Sequence, residues 1–142
     1  MGGVGQYDEL KTQVPKNSDH FQLHAFTSKM PQLLGASDIV ITRAGATTIL
    51  ELSALAKPTI LIPNAALTGG HQIKNAKVYE DAKAAVVLIE DEVVEKPELL
   101  LQEVSTLLDN PKETQAMARR FSAFAKPDAA KDMAGMILRA RK

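Results

Sequence analysis

Short apolar runs alternate with amphipathic segments through the middle of this 142-residue chain, and that alternation restricts the fold more than any other feature. The runs at 38–42, 59–62 and 85–89 each have the length and composition of a buried strand. Helical patterns at 47–56 and 71–82 separate them. Strands that alternate with helices require crossover connections, so the sequence predicts an α/β fold with a parallel sheet flanked by helices.

The flanking segments add weaker signals. Residues 21–26 alternate between apolar and polar side chains, which predicts a fourth strand. Thr27 or Ser28 can cap a short helix that runs through Leu34. Three further helices are predicted near 97–109, 111–123 and 128–141. About four strands are few for a doubly wound sheet, so we expect the chain to be part of a longer domain.

Composition excludes several classes of protein. Lysine plus arginine and aspartate plus glutamate both number 17, and a chain without net charge is not expected to bind nucleic acid. The chain has no cysteine, which excludes disulfides, thiolate zinc sites and cysteine nucleophiles. The histidines have no recognisable metal-ligand spacing, so we expect no metal site. No apolar run reaches the roughly 20 residues of a membrane span, and no signal peptide is evident. We therefore expect a soluble, cytoplasmic domain.

The loops that follow the first two predicted buried strands are the candidate binding segments. In parallel sheets, ligands bind at the carboxyl ends of strands beside helix N-termini, which here are loops 42–48 and 63–72. Small residues in the first loop let a ligand approach the backbone, and Arg43 could donate a charge-assisted bond to phosphate. The alternative is a compact turn in which Thr47 or Thr48 caps the helix.

Polar side chains in the two following helices could bind a sugar. The Glu51 carboxylate could accept two hydrogen bonds from a vicinal diol, although Thr48-x-x-Glu51 also matches a capping box, which the pattern alone favours. Gln72 and Asn75 lie three residues apart, share a helix face, and could bond sugar hydroxyls. A polar first helical turn facing solvent is the alternative for them. The acidic residues at 80–81 and 90–92 are interpreted as a solvated face.

Three longer motifs in order resemble one known family. They are the segments 37–52, 57–63 and 69–76, and shorter likenesses occur at 26–30 and 124–130. Together they resemble the C-terminal, donor-binding domain of glycosyltransferase family 28, the family of the MurG transferases. The resemblance extends from about Tyr7 to the end of the chain.

The resemblance implies a Rossmann-like domain that is the C-terminal half of a GT-B glycosyltransferase. It implies an inverting transferase that moves N-acetylglucosamine from UDP-N-acetylglucosamine onto lipid I, in peptidoglycan synthesis on the cytoplasmic face of the bacterial plasma membrane. It implies no cofactor, and it implies a general base on an N-terminal domain, so no catalytic residue is expected in this chain. We accordingly expect residues 21–142 to form a donor-binding domain that is incomplete at its N-terminus and inactive alone. Residues 1–20 are expected to be a remnant or tag plus a loop.

The resemblance also implies roles for single residues. The backbone near Phe26 and Thr27 would hold uracil, the segment from Arg43 would wrap the nucleoside, and Glu51 would hold the ribose hydroxyls. The implied donor-binding set is Phe26, Thr27, Arg43, Gly45, Ala46, Thr47, Glu51, His71, Gln72 and Asn75. In that set Ala46 and Thr47 lie near the diphosphate, and the last three residues face the sugar. Alternatives are another UDP-sugar transferase of the same architecture, such as the two-subunit enzyme that acts on dolichol, or a non-catalytic nucleotide-binding or interaction module.

Overall fold

The computed structural model describes residues 5–14, 20–64 and 71–140. The chain divides into two compact units, the first ending at Leu33 and the second beginning at Leu34. The first unit contains helix α1, Tyr7–Gln13, and the start of helix α2, Met30–Ala36. None of its described residues is buried.

The second unit holds a parallel sheet with helices around it. Its elements are β1 Val40–Thr42, α3 Ala46–Ala54, β2 Thr59–Leu61, α4 His71–Asp81, β3 Val86–Val87, α5 Glu90–Glu95, α6 Glu98–Asp109, α7 Pro111–Ser122 and α8 Ala129–Arg139. The sheet has three strands in the order β1-β2-β3, and both pairs are parallel. The prediction of a parallel α/β sheet is confirmed.

The central strand β2 divides the apolar core into two clusters. Side chains alternate across a strand, so Ile60 and Leu61 enter different clusters. Leu61 packs with residues of α3, α4 and α7, among them Leu52 and the fully buried Phe121. Ile60 packs with Leu107 of α6 and with Met117 of α7. Helix α7 therefore contributes to both clusters and closes the core beside the sheet.

A left-handed residue lies two positions beyond the last residue of both α3 and α4. Ala56 has φ 49° and Lys83 has φ 50°. The Lys57 N–H donates to the Leu52 carbonyl at 3.2 Å, and the Ala84 N–H donates to the Tyr79 carbonyl at 2.8 Å. These are the long bonds of a Schellman motif, which stops each helix and leads the chain towards its next strand. Glycine usually occupies the left-handed position, so both side chains stand where the backbone is strained.

Two predictions about the first part of the chain need correction. The fourth strand predicted at 21–26 is wrong, since Phe21 makes only an isolated bridge and the following residues are irregular. Six alternating residues are a short signal, and none of those side chains is buried against a sheet. The short helix starts later than predicted, at Met30, after the Lys29 N–H donates to Thr27 Oγ1 at 3.0 Å.

The structure also contains helices α1 and α5, which the sequence did not predict. Both are short, with 7 and 6 residues, and neither has a buried residue. Within the predicted loop 63–72, residues 65–70 lie outside the described residues.

Candidate functional site

Arg43 and Glu90 meet at the carboxyl edge of the sheet. Arg43 follows β1, and Glu90 begins α5 shortly after β3. Because the strands are parallel, both residues lie at the same edge, with β2 between their strands. Arg43 Nη2 donates to Glu90 Oε1. The ion pair therefore spans the end of the central strand.

This contact changes the acidity of both groups. The hydrogen bond and the opposite charge lower the pKa of the Glu90 carboxyl and raise the pKa of the Arg43 guanidinium. Glu90 also stands in the acidic first turn of α5, where the helix dipole favours negative charge. Arg43 remains 49% exposed, and a guanidinium has five N–H donors. Donors beyond the one held by Glu90 can thus reach a ligand oxygen.

Helix α3 begins directly after the turn formed by residues 43–45. Its N-cap is Gly45, in extended conformation, and no side chain caps its first N–H groups. A Cβ atom built on Gly45 would meet only Thr48 Oγ1, at 4.0 Å, so the space beside the turn is open. Uncapped N–H groups at a helix start are the donors that a phosphate group uses. Ala46 and Thr47 thus carry free N–H groups at an open helix start, and their contact with a diphosphate stays a prediction.

Glu51 lies on the exposed face of α3. The capping-box interpretation is wrong, because the helix begins at Ala46 and Thr48 is already its third residue. Thr47 and Glu51 are both exposed, four residues apart on one face, whereas Ile49 and Leu52 face the core. The Glu51 side chain has no hydrogen bond to any residue within the described ranges. It is available as an acceptor.

The start of α4 is tied to the segment after β2. The Asn64 N–H donates to Gln72 Oε1 at 3.0 Å. This bond orients the half-buried Gln72 amide, so that its NH₂ group is the part left for other acceptors. Asn75 and His71 are exposed on the first turns of the same helix. The Gln72 side chain therefore links α4 to Asn64 through its oxygen and can still donate from its NH₂ group.

The expected donor-binding residues are distributed over both units. Eight of them lie in the second unit, on the turn after β1 and on helices α3 and α4; they are Arg43, Gly45, Ala46, Thr47, Glu51, His71, Gln72 and Asn75. Phe26 and Thr27 belong to the first unit, where Phe26 is 77% exposed and Thr27 Oγ1 accepts the Lys29 N–H.

Sequence reasoning missed Glu90 by assigning it to a solvated acidic face. The signal that could have found it is its place: it follows the third buried strand, as Arg43 follows the first. Parallel strands bring such positions to one edge.

Within the part of the chain that the structure describes, no group of three histidine, aspartate or glutamate side chains could hold a metal ion. None of the helices there is long and apolar enough to cross a membrane.

Comparison with known proteins gives consistent matches. The family model for the glycosyltransferase family 28 C-terminal domain matches residues 1–133. A protein of Bacillus cytotoxicus named UDP-N-acetylglucosamine--N-acetylmuramyl-(pentapeptide) pyrophosphoryl-undecaprenol N-acetylglucosamine transferase is 39% identical over 130 residues, covering 90% of this chain and 35% of its own length. The transferase of the same name from Natranaerobius thermophilus is 34% identical, covering 95% of this chain and 38% of its own length.

A solved structure agrees with these relatives. The crystal structure of Acinetobacter baumannii MurG matches with a TM-score of 0.81 and 25% identity, over 96% of this chain and 39% of that chain. This chain thus spans between 35% and 39% of the length of these proteins. Because the family model and the structural match both cover most of its residues, the chain belongs to the glycosyltransferase family 28 C-terminal domain family.

Proposed function

We propose that this chain is the donor-binding part of an inverting transferase that moves N-acetylglucosamine from UDP-N-acetylglucosamine to lipid I. Its family and the names of its relatives support the class of reaction. The observation that carries the proposal is the exposed Glu51 carboxylate on α3, a helix whose first N–H groups have no side-chain cap. A carboxylate and a row of N–H donors on one helix suit a nucleoside diphosphate.

The spacing along α3 suits the two ends of that ligand. Glu51 lies five residues beyond Ala46, about 7.5 Å along the axis at 1.5 Å per residue. In our proposal Glu51 accepts hydrogen bonds from the two ribose hydroxyls, while the N–H groups at Ala46 and Thr47 donate to the diphosphate. Both contacts fit within the length of one nucleoside diphosphate.

The remaining contacts follow from the other segments. Gln72, held through its oxygen by Asn64, would donate from its NH₂ group to the sugar, with Asn75 one turn further and His71 beside them. Arg43 would face the nucleoside, and the backbone at Phe26 and Thr27 would hold the uracil ring. The domain so formed would extend over residues 21–142.

The chemistry would be a direct displacement at the anomeric carbon. The UDP leaving group gains negative charge, and N–H groups at a helix start stabilise such charge without rearranging. A general base must deprotonate the acceptor hydroxyl, and we assign that base and the lipid I site to the part of the relatives' length that this chain does not cover. Peripheral contact with the cytoplasmic face of the membrane would also belong to the full-length protein, and the chain alone should not transfer sugar.

The test is a ligand-observed NMR titration of this chain with UDP-N-acetylglucosamine, UDP and ADP. We expect binding selective for uridine nucleotides. Glu51→Ala should weaken it at least about tenfold, the effect of losing about 1.4 kcal/mol from hydrogen bonds to a charged group.

The matched control is Glu95→Ala, which removes an exposed glutamate at the end of α5 without touching α3 or α4. It should leave the affinity unchanged. Equal binding of UDP and ADP by the wild type would contradict the proposal and would favour a nucleotide-binding or interaction module of the same fold.

A further inference from the structure

The turn between β1 and α3 is held from outside by one side-chain bond. Only Arg43, Ala44 and Gly45 separate the strand from the helix. Ala44 is fully buried in the core, whereas Arg43 reaches across the edge of the sheet to Glu90. Among the described residues, no other side-chain hydrogen bond joins this turn to a different element. The ion pair is therefore the polar anchor of the turn.

The direction of the first N–H groups of α3 depends on that turn. Gly45 is the N-cap and contributes no side-chain bond, so the helix start lacks the local support that a serine or aspartate cap would give. The Arg43–Glu90 bond is a support that comes from another element. Glu90 is well placed for this role, because it is the first residue of α5 and is only 28% exposed.

The ion pair also balances charge where an anion would bind. An unpaired Glu90 would repel a diphosphate at this edge, and an unpaired Arg43 would keep the freedom of a long, half-exposed side chain. When the two groups are paired, the Arg43 guanidinium is held in one orientation and the pair carries little net charge. A binding group that is held in place before the ligand arrives loses less freedom on binding.

We propose that Glu90 is a positioning residue of the donor site: it holds Arg43, and through Arg43 the turn 43–45, so that the first N–H groups of α3 point at the diphosphate. This inference rests on the function proposed above. It assigns to Glu90 no contact with the ligand.

The first test compares ligands with and without phosphate. Glu90→Ala should weaken UDP binding by about tenfold, the lower end of the range for outer-shell residues that orient metal ligands. It should weaken uridine binding by less, because uridine lacks the phosphates that the first N–H groups of α3 would bind. Glu90→Gln keeps an acceptor oxygen for Arg43 and should lose less. Glu92→Ala, which removes the same charge from the same turn of α5, is the matched control and should change neither affinity.

The second test is a double-mutant cycle with amide NMR. If Glu90 acts through Arg43, then Arg43→Ala/Glu90→Ala should weaken UDP binding no more than the stronger single change. In the ligand-free chain, the amide resonances of Ala46 and Thr47 should move in Glu90→Ala, move less in Glu90→Gln, and stay in Glu92→Ala.

The outcomes separate this inference from the proposed function. Additive losses, equal losses for UDP and uridine, tighter UDP binding by Glu90→Ala, or unmoved α3 amides would each overturn the role of Glu90 while leaving UDP selectivity intact. A wild-type chain that does not prefer UDP to ADP would overturn the proposed function, and this inference with it.

Discussion

The charge of Glu90 makes the stability of this chain depend on pH. Arg43 lowers the pKa of the Glu90 carboxyl below its ordinary value of 4.5. The unfolded chain therefore binds this proton more readily than the folded chain, and the ion pair stabilises the fold above the unfolded pKa. That contribution is lost as the pH falls through the lower pKa of the folded state. We expect the wild type to have a higher urea midpoint than Glu90→Gln at about pH 7, with the difference closing below about pH 4.

The measurement is a pair of urea unfolding curves at each pH, followed by circular dichroism. Glu92→Gln is the control, because Glu92 makes no side-chain hydrogen bond within the described part of the chain. A midpoint difference between the wild type and Glu90→Gln that stays constant from neutral to acidic pH would show that the ion pair does not stabilise the fold.

Single residues of the candidate site could be predicted from sequence only where neighbouring residues determine their environment. Gly45, Ala46 and Thr47 were expected at a strand-to-helix turn, and the structure has that turn there. Glu51 remained ambiguous, because a capping box and a ribose contact use the same spacing until the first residue of the helix is known. Glu90 could not be paired with Arg43 from local pattern, since 47 residues separate them and only the strand order brings them together.

Elements were predictable to the extent that their apolar residues recur at a regular period, as in α8, which was predicted although none of its residues is buried. Strand β2 and helix α3 pack into the core, and their apolar patterns placed them within a few residues. The helices α1 and α5 have only 7 and 6 residues, too few to show a periodic apolar pattern. The run at 21–26 shows the converse error: its alternation suggests a strand, but no sheet neighbour uses it.

The ends of α3 and α4 offer a way to stabilise the chain. An L-residue in the left-handed region costs about 1–2 kcal/mol, and glycine removes that cost while losing more entropy on folding. We expect Ala56→Gly to raise the free energy of unfolding by up to about 1 kcal/mol, and Lys83→Gly to act similarly. Urea unfolding at neutral pH measures both changes.

The control for these substitutions is Ala54→Gly. Ala54 is exposed in the last turn of α3 and keeps helical backbone angles, so glycine there should destabilise by about 1 kcal/mol. Destabilisation by Ala56→Gly of the same size as by Ala54→Gly would mean that the left-handed conformation at Ala56 carries no strain.

At the scale of the whole molecule, burial is distributed unequally between the two units. In the part of the chain that the structure describes, every buried residue belongs to the unit that begins at Leu34. Strand β2 is buried along its full length and is paired on both sides. Local opening is easiest where few apolar contacts are lost. We therefore expect the first unit to open more readily than the second.

Native-state hydrogen exchange compares two amides that are both hydrogen-bonded in the folded chain. The Ile62 N–H donates to the Thr42 carbonyl at 2.8 Å, and its side chain packs on the core; the Leu10 N–H donates to the Gln6 carbonyl at 3.0 Å in α1. We expect Ile62 to exchange only through global unfolding, with an opening energy that falls in urea as steeply as the global stability. Leu10 should exchange through local opening, with little urea dependence. Because both amides donate hydrogen bonds of similar length, a difference in protection does not come from the lack of a bond in α1. Equal protection at both amides would show that α1 unfolds together with the sheet.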